Sequence, residues 1–286
     1  MPMPGVHNSF EMDAGSAPAP PSPLKLGVGL KMRKSQKQKK KLDANMTKIM
    51  DSLGEHIAKA LTHYWLTRKV QREKQKKRGV SDAGLRSAVT GAAQMDGFID
   101  LFTNLIVDAG IDKKFIFRKK ALELPGFFRP TKEWDLLVAK NGHLFVAIEA
   151  KSQVGPSFGN NFNNRTEEAM GSALDLWTGF REGVFNGGIQ PFLGYFFMLE
   201  DCEASNRPVR VKEPHFKVFP EFVRASYMKR YELFCRKLIL ERHYTSASFI
   251  TSDSKNGLDG VYKQPAKDLS FSIFAKSLVS HIAAFS

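Results

Sequence analysis

Cysteine is nearly missing: Cys202 and Cys235 are the only two in 286 residues. They stand too far apart for a CxxC site and are too few for a disulfide framework, so cysteine-held zinc is excluded and both are expected as reduced thiols. The seven histidines include no HExxH and no paired spacing. No apolar run reaches the roughly 18–20 residues that cross a bilayer, and the N-terminus lacks the charged-then-apolar layout of a signal peptide. A cytoplasmic protein with no membrane anchor is the expectation. Acidic residues are scarce as well. Asp and Glu total 29 against 43 Lys and Arg, a net charge of +14, and such an excess points to a polyanionic partner, nucleic acid or an anionic membrane. No internal repeat is visible. The 42% hydrophobic content suffices for a real core, in one large domain or two small ones.

The stretch Trp134–Lys151, WDLLVAKNGHLFVAIEAK, reads as a hairpin. Two runs rich in Val, Leu, Ile and Phe flank Asn141-Gly142, both of which tolerate a positive φ. Its loop length decides which side chains meet. A two-residue turn pairs Ala139 with Leu144, sets Asp135 against Ile148 and leaves Asp135 and Glu149 on opposite faces. A three-residue loop, Lys140-Asn141-Gly142 with Gly142 left-handed in a bulge, pairs Ala139 with His143 and Asp135 with Ala147. That second register puts Asp135, Glu149 and Lys151 on one face, with Trp134, Leu136, Val138, Leu144, Val146 and Ile148 on the other. The two carboxylates are then offset by roughly 7 Å along the strands, a gap that one divalent ion bridges. The three-residue loop is therefore the expected one.

Around the hairpin the chain reads as one domain over residues 43–286, preceded by a basic arm over 1–42. The arm holds APAPPSP and KMRKSQKQKKK, the latter with seven positive charges and no acid, and is expected to be flexible. Apolar residues recur at three and four from Asn45 to Arg78, giving an amphipathic helix whose tail RKVQREKQKKR is strongly basic. A glycine-punctuated loop through residue 97 precedes an apolar helix over 98–110. KFIFRKK, 114–120, reads as a strand, and LELPGFFRP as a turn. After the hairpin, SQVGPSFGNNFNNR reads as loop, with a helix over 166–183 capped by Asn164 or Thr166 and burying Met170, Ala173, Leu174, Trp177 and Phe180. FLGYFFML is a strand covered on both faces, expected to run parallel to its neighbour after a right-handed crossover. A helix over 221–243 with Phe222 inward, a strand YTSASFITS and a closing helix complete an α/β fold with the core order αβββαβ.

Phosphodiester hydrolysis needs a metal to organise water and neutralise developing charge, together with a basic group near the nucleophile or phosphate. Asp135, thirteen residues, then Glu149-Ala150-Lys151 at the end of a hairpin supply that minimum. Asp135 and Glu149 are the expected Mg²⁺ ligands with the Ala150 carbonyl. Lys151 is expected to orient the water or stabilise the scissile phosphate. A strand-end salt bridge would explain Glu-x-Lys alone; hairpin placement, register, element order and charge favour the metal site. Glu55 or Glu73 from the upstream helix is the alternative for a further ligand, beside a plain surface role. The residues after Lys151, namely Gln153, Asn160, Asn161, Asn163, Asn164 and Arg165, are the types that pair with adenine and guanine edges, as are Arg86 and Gln94 upstream; Asn and Gly are also ordinary turn residues.

EWDLLV, then AIEAKSQVGPSFGNNFNNRTEEAMGSALDLW, resembles the XhoI-type restriction endonucleases of the PD-(D/E)xK nuclease superfamily, and SDAGLRSAVTGAAQMDGF upstream is similar to the same family. The likeness runs from about Met46 to the C-terminus. It implies a restriction-endonuclease-like core, a mixed central sheet flanked by helices with extra helices added. It further implies a type II site-specific deoxyribonuclease that uses Mg²⁺ and acts on double-stranded DNA as a homodimer. The implied site is the palindrome CTCGAG, cut after its first C. A cognate DNA methyltransferase is the implied functional partner, since an unpartnered restriction enzyme attacks its host's chromosome. Trp134 stands where the family pattern has Pro, and the basic arm lies outside the pattern. A repair or structure-selective nuclease of the same fold, or a DNA-binding protein without cleavage, remain the alternatives.

Overall fold

Helix α1 runs Val28–Arg78, well ahead of the Asn45 start that apolar periodicity alone marked, because the Lys, Gln and Met of the preceding stretch are good helix formers. The computed structural model describes residues 28–78, 86–186 and 188–284, with side chains over 46–74, 93–186 and 188–284. Of the basic arm expected over residues 1–42, residues 1–27 lie outside the described residues. The chain divides at Lys40 into two units, and the second, Lys41–Ser286, carries everything that follows. On α1, Ile49, Leu53, Ile57, Leu61, Tyr64 and Trp65 are buried, the stripe that the spacing required.

Helix α2, Arg86–Asp108, occupies most of what was read as loop before Phe98. Gly97 within it serves packing rather than chain reversal. A Cβ at Gly97 would lie 3.1 Å from the Ala60 backbone, so glycine there lets α1 and α2 approach closely. The strand expected over 114–120 shrinks to β1, Ile116–Phe117. Asp112 accepts the Lys114 amide (3.1 Å) and turns Lys113–Phe115 into a 3-10 helix first. The segment read as a simple turn forms a small hairpin, β2 (Glu123–Pro125) and β3 (Thr131–Glu133). Then follow β4 (Leu136–Lys140), β5 (His143–Gln153), α3 (Phe158–Arg181), β6 (Phe192–Glu200), α4 (Glu203–Asn206), α5 (Tyr227–Leu240), β7 (Ser246–Ser252) and α6 (Phe271–Ala283).

Among the described residues the main sheet has the order β1-β4-β5-β6-β7. Its first half is antiparallel; β5–β6 and β6–β7 are parallel, as the crossover through α3 demands. Helices α1, α2 and α6 cover one face, α3 and α5 the other. The αβββαβ core is thus present, with β2–β3 inserted and β7 and α6 added.

Two helix starts differ from the sequence reading for physical reasons. Helix α3 begins at Phe158 rather than 166, since Phe158 stacks on Tyr227 (5.8 Å) and Phe162 packs edge-on against Tyr231 (5.0 Å). Those aromatic contacts override the weak helix propensity of four asparagines. They also set the helix's phase: Ala169, Ala173, Leu176 and Trp177 are buried, while Met170 and Leu174, expected inside, are 40% and 48% exposed. Helix α5 starts at Tyr227, where Ser226 accepts the Lys229 amide, and Pro220–Phe222 ahead of it is a separate 3-10 turn.

The hairpin register is a further correction. Asn141 (φ 54°) and Gly142 (φ 79°) form a two-residue turn with both residues left-handed, and Lys140 pairs with His143 and Ala139 with Leu144. The expected three-residue loop is absent. A bulge follows one step later: Val138 pairs with Val146, leaving Phe145 as the extra residue. Leu136 then faces Ile148, and the next step brings Asp135 beside Glu149 instead of Ala147. The bulged Phe145 carbonyl is not left bare, since His281 Nε2 of α6 lies 3.2 Å away and donates to it. The bulge moves Leu144, and a bend at Asp135 moves Trp134, onto the α3/α5 face; Leu136, Val138, Val146 and Ile148 keep the α1/α2/α6 face.

Substituting Gly142 by Ala puts a side chain at left-handed φ and runs its Cβ into Asn186. Urea denaturation should show a loss of about 1–2 kcal/mol. An unchanged midpoint would mean that the two-residue turn does not hold the hairpin.

Candidate active site

The bulge makes the site. It sets Asp135, Glu149 and Lys151 together on the α3/α5 face of the sheet, where β5 approaches its C-terminal end, the side of parallel strands on which ligands are usually bound. The Ala150 amide donates to Asp135 Oδ2 (2.8 Å), which locks the first acid onto the strand that carries the second. Lys151 Nζ lies 3.3 Å from Asp135 Oδ2 and 3.1 Å from Glu149 Oε1. The three residues singled out by sequence therefore meet, with the acids closer than the expected register would have brought them.

Sequence reasoning missed the groups that hold Glu149. Lys132, on β3, places its Nζ 3.2 Å from the same Oε1 and 4.3 Å from the centre of the Trp134 ring, and it also donates to the Glu133 carbonyl (2.9 Å). Tyr244, ahead of β7, donates its hydroxyl to Glu149 Oε2 (3.1 Å) and lies 3.2 Å from the Ala169 carbonyl of α3. The β2–β3 hairpin that carries Lys132 is itself tied down. Asp175 of α3 accepts the Phe127 and Phe128 amides (2.6 and 2.8 Å) and Arg129 Nε (2.6 Å) across the hairpin's tip. Lys132 lies three residues before an acid with only strand alternation to mark it, and Tyr244 is 95 residues from its partner; neither spacing is a signal.

Glu149 is 2% exposed. Burial alone would raise its pKa, but the ammonium groups of Lys151 and Lys132 outweigh burial and hold it below the usual carboxylate range. For Lys151, burial opposes the charge, yet the two carboxylates together keep its pKa above the ordinary lysine value. Lys132 goes the other way: burial dominates, the Glu149 charge and more weakly that of Asp135 only partly offset it, and Lys151 repels it. Tyr244 is held well above its usual value by burial and by the Glu149 charge, so it stays a donor. No group of three or more His, Cys, Asp or Glu that could hold a metal occurs among the described residues, and Glu55 and Glu73 are exposed on α1 rather than joined to the pair. The donor set is two carboxylates with the Ala150 carbonyl between them, hard oxygen chemistry suited to Mg²⁺. Two ammonium groups already neutralise the acids there, as a bound cation would.

The base-reading candidates fall into different settings. Asn160, Asn161, Asn163 and Asn164 lie on the first two turns of α3, not on a loop; the first and last two are exposed and Asn161 is half-buried. Arg165 pairs with Glu168 (2.6 Å), and its charge acts on Lys151. Gln153 is buried at the end of β5 and donates to the Val154 carbonyl (2.7 Å). Gln94 is buried between helices, accepting from Arg68 and donating to Gln71 (2.9 Å each). Arg86 begins α2, and its side chain lies outside the described residues.

A mixed sheet whose antiparallel hairpin aligns two acids and a lysine, followed by a helical crossover to a parallel strand, defines a nuclease with a restriction-endonuclease-like core. The family model described as "Restriction endonuclease XhoI" matches residues 74–264, and the chain belongs to that family. It is 55% identical over 207 residues to the type II restriction enzyme BstVI of Geobacillus stearothermophilus, covering 71% of this chain and 92% of that protein. It is 47% identical over 183 residues to the type II restriction enzyme XhoI of Xanthomonas vasicola, 63% of this chain and 73% of the relative. The type II restriction enzyme AbrI of Azospirillum brasilense is 48% identical over 155 residues, 54% of this chain and 69% of the relative. No solved structure matches the chain.

Glu149 has a folded pKa below its unfolded value of about 4.3, so its ionisation stabilises the fold fully above that value and the gain is lost as pH falls through the folded pKa. Glu149→Gln should accordingly flatten the pH dependence of the urea midpoint between about pH 5 and pH 2; an unaltered slope would show that Glu149 is not held ionised. Tyr244→Phe removes the donor to Glu149 and should cost about 1–2 kcal/mol in the same assay at neutral pH.

Proposed function

We propose that the protein is a Mg²⁺-dependent type II restriction endonuclease that hydrolyses double-stranded DNA at the palindrome CTCGAG after its first C. It would act as a homodimer, alongside a cognate DNA methyltransferase. The observation that carries this reading is the convergence of Asp135, Glu149 and Lys151 on one face, with the Ala150 amide fixing Asp135 to the strand of Glu149. The relatives named type II restriction enzymes support the reaction class, the resemblance of residues 133–177 supports the site, and the +14 charge supports a polyanionic substrate.

Asp135, Glu149 and the Ala150 carbonyl would hold the ion, which when bound organises the attacking water and offsets the charge that builds on the phosphoryl oxygens. The chain's own groups do the rest. Lys151 carries its proton firmly, because both acids raise its pKa. It fits a charge and hydrogen-bond donor to the scissile phosphate or to the attacking water. Tyr244 keeps one oxygen of Glu149 engaged and the carboxylate's orientation fixed. The Asn-rich start of α3 follows the site by a short turn, a position from which Asn160, Asn163 and Asn164 would reach base edges. Arg165, paired with Glu168 and beside Lys151, fits a phosphate contact better than a base contact.

Unmethylated plasmid incubated with the protein and Mg²⁺ should give discrete fragments ending at CTCGAG. A smear would instead indicate a repair or structure-selective nuclease, and binding without cutting a DNA-binding protein. Asp135→Ala and Glu149→Ala should each lower single-turnover cleavage by at least roughly 10³-fold while specific DNA binding persists. Retained cutting by either variant would remove the assignment.

A further inference from the structure

We propose that Lys132 is a positioning residue of the cleavage site that competes with the divalent ion for Glu149 in the DNA-free enzyme and yields its place when substrate binds. This rests on the nuclease reading above. Both oxygens of Glu149 are engaged: Oε1 by the ammonium groups of Lys132 (3.2 Å) and Lys151 (3.1 Å), Oε2 by the Tyr244 hydroxyl (3.1 Å). Oε1 already carries two ammonium groups, so a divalent ion that takes this oxygen needs one of them to withdraw. Tyr244 is fully buried and also contacts the Ala169 carbonyl, so its withdrawal breaks an anchored contact in the core. Lys151 bridges both acids and loses two partners by leaving.

Lys132 is different because it has somewhere else to rest. Its ammonium already touches the Glu133 carbonyl (2.9 Å) and lies over the Trp134 ring (4.3 Å to the centroid), so releasing the carboxylate costs it one contact and keeps two. It also comes from the β2–β3 hairpin, outside the main sheet, whose tip is clamped by Asp175. The backbone under Lys132 is thus fixed while the flexible side chain moves. Formally the four charged groups, Asp135, Glu149, Lys132 and Lys151, sum to zero, and a divalent ion added to them leaves two uncompensated positive charges. A DNA phosphate entering the site brings negative charge to a displaced Lys132. The site then takes up its ion readily only when substrate is present.

The full chain without DNA, titrated with Mn²⁺ and followed by electron paramagnetic resonance, tests this. Lys132→Met should bind Mn²⁺ at least roughly tenfold more tightly than the unmodified protein, the effect of removing one like charge from a partly buried site. Lys132→Arg, which keeps the charge, should not, and adding Asp135→Asn to Lys132→Met should erase the gain. A merely structural lysine gives the opposite sign, since disrupting the hairpin loosens the ligands. Single-turnover cleavage at saturating Mg²⁺ should fall in Lys132→Met with DNA affinity little changed. Lys132→Gln provides a second neutral variant if Lys132→Met does not fold. Equal or weaker Mn²⁺ binding by the folded neutral variant overturns the inference. If the unmodified protein cuts no site-containing plasmid, the nuclease reading itself fails; if it cuts and Mn²⁺ affinity is unmoved, only the role of Lys132 does.

Discussion

An ionised carboxylate as buried as Glu149 survives only if every oxygen has a donor, because desolvation otherwise drives it to take a proton. Much of the molecule can be read as meeting that condition. Lys151 comes from the same strand, Lys132 from a hairpin outside the main sheet, and Tyr244 from the approach to the last strand. Each of these is held by something further away. Asp175 on α3 grips the tip of the small hairpin, and Ala169, also on α3, receives Tyr244. One helix therefore braces two of the three groups that keep the acid charged.

The second acid depends on a different device. A two-residue turn alone would have sent Asp135 to the wrong face, and a bulge at Phe145 corrects the parity before the strand reaches it. Such a bulge leaves a backbone carbonyl out of the ladder. His281, from the helix on the opposite side of the sheet, supplies the missing donor. The geometry of the active face is thus secured partly from the far face.

The parts legible in the sequence are those whose information is local. The Asp135, Glu149 and Lys151 triplet, the apolar stripes of α1 and α6 and the parallel placement of β6 all follow from spacing within one or two elements. What escaped depends on contacts between distant segments. Asparagines at 160–164 read as loop because their helical state is enforced by Phe158 and Phe162 against α5, some 65 residues later. The stretch up to Gly97 read as loop, yet most of it is helix α2, in which Gly97 makes room for a neighbouring helix. The reasoning about faces reached the right side for the triplet through the wrong turn, since an even shift of register preserves parity whichever way it is made. Lys132 and Tyr244 carry no pattern at all until the fold brings them to Glu149.

The link between Tyr244 and Glu149 also dates the appearance of the site during synthesis. A chain leaving the ribosome exposes Asp135, Glu149 and Lys151 early, and Tyr244 only 95 residues after Glu149. Until then Glu149 lacks the donor on its second oxygen, β6 lacks the edge partner β7, and the bulge carbonyl lacks His281 of α6. A nascent fragment holds the triplet in its sequence but not its arrangement in space. The cluster around Glu149 is complete only once Tyr244 and α6 have been made, so its arrangement forms as a whole rather than in stages.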